Sequence, residues 1–359
     1  MKASPPRPPP SRWGGLVLSF GTVVLCLVLA EGVLRIRSPT GSLWRFPNYV
    51  SDVGPPDAGD AQLRYDSELG WEPIPGYSGL LFGRPMSFSK DGLRNHNLGT
   101  APAAGPLILV LGDSYSEGYA VGDDETWPAH FARDTGQRVL NAAVRSYGLD
   151  QVVLRAERLA PLLEPSTFVL AFTASNIGRT ELSAIGGKGK PYFVPEGEGL
   201  ALRNVPVPVG SGSTTRSRVK SVLGRSLLVG AVLRRLGAAD FLYGDATWTG
   251  AESGLVSCRL MGRFARLVRK QGARALVVGL PEHNGETDPA GEAIMYRRVA
   301  AALSCAAKVG LATLDTYAGF EKAGAKNDLE SFYKLRHFTA RGNALAARLI
   351  ADALAAGHR

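Results

Sequence analysis

The sequence predicts an α/β fold: a three-layer sandwich in which a mostly parallel sheet is covered by helices on both faces, preceded by one transmembrane helix. Two observations predict it. Between residues 106 and 357, short apolar runs alternate with amphipathic stretches of helical length, which is the pattern of a parallel sheet. Near the N-terminus, residues 14–30 are apolar and uncharged, close to the ~17–25 residues that cross a bilayer.

Five short apolar runs are predicted as strands: 106–112, 138–144, 167–175, 274–282 and 311–317. The helices predicted around them are 125–136, 150–163, 251–272, 288–309 and 339–356. Asp150 is placed to cap the second of these helices. The last one carries an apolar face: Leu345, Leu349, Ile350 and Leu354.

Four further regions complete the predicted domain organisation. Residues 1–12 are a Pro-rich basic tail, 36–105 a linker and lead-in, and 106–357 the globular domain. Within that domain, residues 185–250 break the alternation of strand and helix and are predicted as an insertion over one face. It contains a hairpin-like run at 191–207 and a short helix near 226–236.

Residues 13–35 are predicted as a transmembrane anchor, with a cleaved signal peptide as the alternative. Val28 and Ala30 would satisfy a small-residue cleavage rule, but the apolar run is longer than the ~7–15 residues of a signal-peptide core. Lysines and arginines flank the segment on both sides, so the charge bias toward an internal N-terminus is slight.

The charge balance argues against a nucleic-acid partner. Of the net charge of +9, residues 1–37 contribute five basic groups and one acidic group, so the remaining chain carries only +5. Basic residues are not interleaved with aromatic ones in any run, which nucleic-acid binding would favour.

The three cysteines have no metal-site spacing. Cys26 lies in the predicted anchor. Cys258 and Cys305 each fall in a predicted helix, where they are either a disulfide of an oxidising compartment or two buried thiols. Since no metal or nucleotide motif is present, we predict no metal and no cofactor.

Chemically capable residues follow the predicted strands. Ser114 follows the first strand, Ser146 the second and Asn176 the third, and His337 precedes the last helix. In open α/β sheets, ligands bind outside the carboxyl ends of the strands. A hydroxyl, an imidazole and hydrogen-bond donors at one edge are the groups that acyl transfer needs.

These segments, GDSYSEG, NAAVRSYGLDQ, FTASNIG and YKLRHFTARGN, resemble in order the sequence blocks of the SGNH (GDSL-like) hydrolases. The run VLGDSYSEGYAVGDDETWPAHF is similar to the bacterial branch with an N-terminal membrane segment, as are the upstream runs YDSELGWEPIPG and SKDGLRN. The resemblance covers roughly residues 62–357 and implies a flavodoxin-like sheet. The GxSxG elbow of α/β-hydrolases is absent.

The resemblance implies a role for each of four residues. Ser114 would be the nucleophile and His337 the general base. Ser114, Ser146 and Asn176 would form the oxyanion hole. Ser146 stands where the family has glycine, which leaves its backbone N–H available but places a side chain there.

The triad acid is the main departure from the family pattern. The family has it two or three residues before the histidine, where this sequence has Leu335 and Lys334. A backbone carbonyl, or an acid elsewhere such as Asp328 or Glu330, would have to orient His337.

The sequence therefore predicts a serine esterase that acts on acyl esters of carbohydrate, O-acetyl esters in particular, through an acyl-enzyme on Ser114. An O-acyltransferase acting on an extracytoplasmic polysaccharide and a non-catalytic glycan-binding module are the alternatives. The expected location is a single-pass membrane protein with its catalytic domain outside the cytoplasm.

Overall fold

The computed structural model describes residues 12–37, 61–96, 105–119, 121–185, 188–208, 226–236, 247–248, 252–282, 289–324 and 329–357. The chain divides into two compact units, one formed by residues 1–55 with 211–245 and the other by residues 56–210 with 246–359.

The helices, in chain order, are α1 (Arg12–Arg37), α2 (Ser114–Glu117), α3 (Trp127–Thr135), α4 (Leu149–Leu163), α5 (Ala174–Gly178), α6 (Leu227–Arg235), α7 (Ser253–Lys270), α8 (Pro289–Lys308), α9 (Tyr317–Gly324) and α10 (Ala340–Ala356).

The strands are β1 (Leu63–Asp66), β2 (Gly70–Pro73), β3 (Ser78–Leu81), β4 (Arg84–Ser87), β5 (Leu107–Leu111), β6 (Arg138–Asn141), β7 (Thr167–Phe172), β8 (Leu182–Ile185), β9 (Lys188–Gly189), β10 (Tyr192–Glu196), β11 (Gly199–Arg203), β12 (Thr247–Trp248), β13 (Arg274–Gly279), β14 (Ala312–Asp315), β15 (Tyr333–Lys334) and β16 (His337–Phe338).

In the smaller unit, α1 contains the apolar segment Val17–Ile36, which is long and apolar enough to cross a membrane. The Glu31 carboxylate near its end accepts hydrogen bonds from the Ser226 hydroxyl (2.8 Å) and the Leu228 N–H (2.9 Å) at the start of α6. The same carboxylate pairs with Arg35 at 2.7 Å. A charged residue of α1 therefore caps a helix nearly two hundred residues away in sequence.

The larger unit is built on a five-stranded sheet with the order β14-β13-β7-β5-β6. All four pairings are parallel. These are the five strands that the sequence predicted. Each ends a few residues before its predicted C-terminal end, because the chain there leaves the sheet and enters a loop at its carboxyl edge. The order is flavodoxin-like. Its switch point lies between β5 and β7, which are the first and third strands of this sheet in chain order.

Alternate residues of the central strands pack on opposite faces of the sheet, as the period of two requires. Leu109 and Leu111 lie in the apolar cluster that includes α4, α7 and α8. Ile108 and Val110 lie in the cluster that includes α3 and α10. Helices thus cover both faces, which confirms the predicted three-layer α/β sandwich.

One prediction about α4 was wrong. Gly148, not Asp150, is its N-cap residue, and the Gln151 side chain accepts from the Gly148 N–H at 3.1 Å. The buried Asp150 carboxylate instead pairs with the buried Lys190 ammonium at 2.5 Å. A buried charge requires a partner, and this one comes from a distant loop.

The stretch predicted as linker and lead-in contains two antiparallel hairpins, β1–β2 and β3–β4. Arg94, which follows them, forms an ion pair with Asp123 at 2.6 Å, and both side chains are buried. The Trp71 indole is buried and donates to the Arg145 carbonyl. Residues 61–96 therefore pack on the sheet domain as part of the same unit.

In the predicted insertion, β10 and β11 form the hairpin expected at residues 191–207.

The helices α7 and α8 are joined by a disulfide between Cys258 and Cys305, whose Cα atoms are 5.1 Å apart. Of the two alternatives left by the sequence, the structure has the disulfide.

Candidate active site

Ser114 is the first residue of α2, directly after the central strand β5. The Asp113 carboxylate caps this short helix by accepting from the Tyr115 N–H at 3.0 Å. Gly112 permits the tight turn, since a Cβ there would lie 2.6 Å from the Ser116 hydroxyl and 2.7 Å from the Ala171 carbonyl oxygen. Because β5 lies at the switch point of the sheet, the fold presents Ser114 at the edge where ligands bind.

His337 lies near the C-terminal end of the domain, 223 residues after Ser114, and its side chain contacts Ser114. Its Nε2 lies 2.8 Å from the Ser114 Oγ, within the range for a nucleophile and its general base. Each of the two residues is only 6% exposed. The structure thus brings together the two residues predicted as nucleophile and base.

The other ring nitrogen of His337 contacts a backbone oxygen. Its Nδ1 lies 2.9 Å from the Leu335 carbonyl oxygen. Since a carbonyl only accepts, this contact favours the tautomer protonated at Nδ1, in which the Nε2 lone pair faces the Ser114 hydroxyl. Of the acids considered from the sequence, Asp328 and the side chain of Glu330 lie outside the described residues.

A strained turn holds that carbonyl in place. Leu335 and Arg336 both have left-handed backbone conformations, with φ of 52° and 63°, which are uncommon for residues other than glycine. The Tyr115 hydroxyl donates to the Arg336 carbonyl at 2.6 Å. Tyr115, next to Ser114, therefore supports the loop whose carbonyl contacts His337.

Two aromatic rings flank the imidazole. The ring centroid of Tyr115 lies 5.1 Å, and that of Tyr119 4.9 Å, from the centroid of His337. The Arg145 guanidinium lies over the Tyr119 ring at 5.2 Å and pairs with the buried Glu117 at 2.9 Å. These rings restrict the orientation of His337 and narrow the access of solvent to it.

Ser146 lies in the turn after β6, and Asn176 lies in the short helix α5 that follows β7. Ser146 has φ of 62°, a conformation that glycine adopts without steric cost. The buried Asn176 accepts from the Thr173 N–H and donates one N–H to the Tyr147 carbonyl, both at 2.8 Å. A primary amide has a second N–H, which is the group that the predicted oxyanion role requires.

A charge network adjoins Ser114. Arg179 donates to the Asp113 carboxylate at 3.1 Å and to the Tyr147 carbonyl at 3.3 Å. Burial raises the pKa of the Asp113 carboxyl, and the Arg179 guanidinium opposes that rise. Burial also raises the pKa of Glu282, whose carboxylate accepts from the Ser175 N–H at 3.0 Å. Among the residues that the structure describes, no group of three or more His, Cys, Asp or Glu side chains could hold a metal ion.

Sequence reasoning missed Arg179, Glu282 and the two tyrosines. Arg179 follows Asn176 by three residues, which is the spacing of one helix face, so its position was accessible from the sequence. Glu282 lies just past β13, at the same sheet edge as Ser114. Tyr115 and Tyr119 lie inside the matching motif, but only the fold places their rings against His337.

No family model and no curated protein matches the chain. Solved structures similar to it include a lipolytic protein of the G-D-S-L family from Desulfitobacterium hafniense, with 11% identity, coverage of 69% of this chain and 99% of that chain, and a TM-score of 0.40. An acetyl xylan esterase variant from Geobacillus stearothermophilus has 11% identity, coverage of 70% and 96%, and a TM-score of 0.43. A lipase/acylhydrolase from Enterococcus faecalis has 13% identity, coverage of 69% and 94%, and a TM-score of 0.40.

The order of the sequence blocks and the strand order of the parallel sheet are observations on this chain and do not depend on the similar structures. The contact of Ser114 with His337 at the carboxyl edge of the sheet is a third such observation. Together they match the fold of the SGNH (GDSL-like) hydrolases.

Proposed function

We propose that the chain is a membrane-tethered serine esterase that hydrolyses acyl esters, O-acetyl esters in particular, of a carbohydrate outside the cytoplasm. The observation that carries the proposal is the 2.8 Å contact between the Ser114 Oγ and the His337 Nε2 in a buried site at the sheet edge. A serine hydroxyl becomes a nucleophile when an adjacent base accepts its proton.

The proposed reaction has two halves. The Ser114 Oγ attacks the ester carbonyl while His337 Nε2 takes its proton, and the backbone N–H groups of Ser114 and Ser146 with the Asn176 amide stabilise the oxyanion. The tetrahedral intermediate collapses as His337 returns the proton to the departing sugar oxygen. Water then repeats the sequence on the acyl-enzyme and releases the free acid; a sugar hydroxyl in place of water would make the reaction a transfer.

The Cys258–Cys305 disulfide supports the location outside the cytoplasm, because disulfides are typical of oxidising compartments. The helix α1 supports the membrane tether, since it supplies an apolar span of sufficient length. The carbohydrate and acetyl parts of the proposal derive from the resemblance of the Ser114 segment to the hydrolase branch with a membrane segment.

A fluorophosphonate probe tests the nucleophile directly. Full-length protein should become labelled at Ser114, and the Ser114→Ala variant should lose both labelling and release of acetate from acetylated oligosaccharides. Ser166, which precedes β7 at the opposite edge of the sheet and donates to the Leu107 carbonyl, provides the matched control as Ser166→Ala. Persistence of labelling or of acetate release within tenfold in Ser114→Ala would show that the nucleophile is assigned wrongly.

The anchor is tested separately. Membranes containing the full-length protein are extracted with alkaline carbonate, and the N-terminus of the mature protein is determined by mass spectrometry. Retention in the membrane with residues 13–35 present is expected. Release of a protein that begins after Ala30 would establish the cleaved signal peptide instead.

A further inference from the structure

A cavity of about 290 Å³ lies beside the loop that carries His337. Its size is near the lower limit of small-molecule pockets, ~300–1,000 Å³. The hairpin β3–β4 contributes Phe82 and Arg84 to its lining, and the end of the chain contributes Lys334, Leu335 and Arg341. It is thus formed where the hairpin meets the loop before α10.

Charge is the distinguishing property of this cavity. Arg84, Lys334 and Arg341 line it, and Glu125 is the acidic residue among its lining side chains, so three cations face one carboxylate. Glu125 pairs with Arg84 at 3.3 Å. Lys334 has no ion-pair partner among the residues that the structure describes.

Arg341 is held by uncharged groups. Its guanidinium donates to the Ser331 hydroxyl at 3.2 Å and lies 4.9 Å from the centroid of the Phe332 ring. Neither contact neutralises its charge. The N-terminus of α10, which also borders the cavity at Thr339, adds partial positive charge. An excess of cations in a concave site attracts anions and raises their local concentration.

The cavity adjoins the catalytic groups through two residues. The Leu335 carbonyl is the partner of His337 Nδ1, and Leu335 lines the cavity. Phe82 lines it on the other side and packs edge-on against Tyr119 at 5.2 Å, the ring that flanks His337. The cavity therefore lies on the Nδ1 side of His337, whereas Ser114 lies on the Nε2 side. A substrate bound at Ser114 reaches the cavity with a part that extends past the imidazole.

We propose that this cavity is a subsite for an anionic group of the substrate, the carboxylate of an acidic sugar next to the one that carries the ester. Lys334 and Arg341 bind the carboxylate, and Arg84 adds to the field. The lysine at a position where the family has its triad acid thereby acquires a function in substrate selection. This inference rests on the esterase proposal for the ester bond that is cleaved. The preference of the enzyme for an anionic substrate follows from the charged side chains that line the cavity.

The test compares an acetylated oligogalacturonate with an acetylated xylo-oligosaccharide of the same length, using full-length protein in detergent and measuring acetate release. The ratio of kcat/KM for the acidic over the neutral substrate should exceed one and fall as salt is raised. Lys334→Gln and Arg341→Gln should each lower this ratio roughly three- to tenfold, mainly through KM of the acidic substrate. Arg348→Gln, an exposed arginine of α10 outside the cavity, is the matched control and should leave the ratio unchanged.

A binding measurement separates this proposal from the esterase proposal. Full-length Ser114→Ala is titrated with unacetylated oligogalacturonate by calorimetry, alone and combined with Lys334→Gln or Arg341→Gln. Weaker binding in both combined variants supports the subsite even if no ester is hydrolysed. Absence of binding, or a kcat/KM ratio that neither cavity variant changes, overturns the proposal whatever the outcome at Ser114.

Discussion

The imidazole Nδ1 of His337 lies 2.9 Å from the carbonyl oxygen of Leu335, only two residues earlier in the chain. The family that the sequence resembles has a carboxylate near this position. A neutral carbonyl selects the same tautomer, but it stabilises the imidazolium of the transition state less than a full negative charge does. The backbone conformation of this turn therefore contributes to the orientation of His337.

That dependence predicts a sharp difference between two substitutions of Arg336, whose φ is 63°. Proline fixes φ near −65° and also restricts the preceding residue, so Arg336→Pro should displace the Leu335 carbonyl. Arg336→Gly accommodates the turn. We expect kcat of the proline variant to be at least ~100-fold below that of the glycine variant, the scale of general-base catalysis. Similar kcat values for the two variants would show that the Leu335 carbonyl does not orient His337.

Asn176 has both an acceptor and a donor function, and Asn176→Asp keeps the acceptor while it removes both N–H groups, including the one that is donated to the Tyr147 carbonyl. The aspartate retains an oxygen for the Thr173 N–H but loses the amide N–H groups. We expect kcat to fall by about 10²–10³, as for removal of an oxyanion donor, with KM changed little. Circular dichroism checks that the variant is folded. A loss confined to KM would argue against the oxyanion role.

Ser146 should be tolerant of glycine and intolerant of a β-branched residue, because its φ is 62°. The left-handed conformation costs residues with a Cβ on the order of 1–2 kcal/mol and is a genuine outlier for β-branched ones. Thermal unfolding should therefore rank Ser146→Gly at or above the wild type and Ser146→Val below it. An unchanged melting temperature for the valine variant would show that the turn at Ser146 is not a source of strain.

Arg179 and Asp113 should be coupled in stability. The Asp113 side chain is almost fully buried and its cation is Arg179, so Arg179→Met leaves a buried carboxylate without its partner. Breaking a buried pair in this way costs about 3–5 kcal/mol. Adding Asp113→Asn should recover much of the lost melting temperature. If the two losses simply add, the pair is not coupled and the network does not hold the turn of the nucleophile.

The Asp66–Arg158 pair predicts how stability changes with acid. Burial by itself would raise the pKa of Asp66, but hydrogen bonds from Arg158 and from the Leu69 and Glu68 N–H groups outweigh it and lower the pKa from 3.8 to about 2. A carboxyl whose pKa is lower in the folded state stabilises the fold above its unfolded pKa. This contribution is complete above about pH 4 and is lost as the pH falls toward 2.

Arg158→Gln should therefore flatten the decline of melting temperature between pH 4 and 2 relative to the wild type, since the folded-state pKa of Asp66 returns toward its ordinary value. Arg203→Gln, which removes an exposed ion pair with Glu196, is the matched control and should leave the decline unchanged. An identical slope for wild type and Arg158→Gln would contradict the expectation.

Local patterns were sufficient for the sheet because buried strands and amphipathic helices have distinct periods. Local patterns were insufficient to predict an ion pair whose two residues lie far apart in sequence. The Asp150 side chain suits a helix cap by position, and nothing near it in sequence indicates Lys190. The hairpins of residues 61–96 were hidden because their short strands pack through a few large side chains, such as Trp71, rather than through a long alternating run.

The α/β fold, the five strands and the residues at the strand ends could be predicted from the amino-acid pattern, because they depend on periodicity and on the rule that parallel strands present their carboxyl ends at one edge. Three contacts became visible only in the folded chain: Leu335 supplies a backbone acceptor to His337, Arg179 pairs with Asp113, and Lys334 lines a cavity with Arg341. Backbone carbonyls are identical along the chain and leave no signature in the sequence. The Arg179–Asp113 pair joins the loops after two different strands, so it exists only once the sheet has brought the ends of β5 and β7 together.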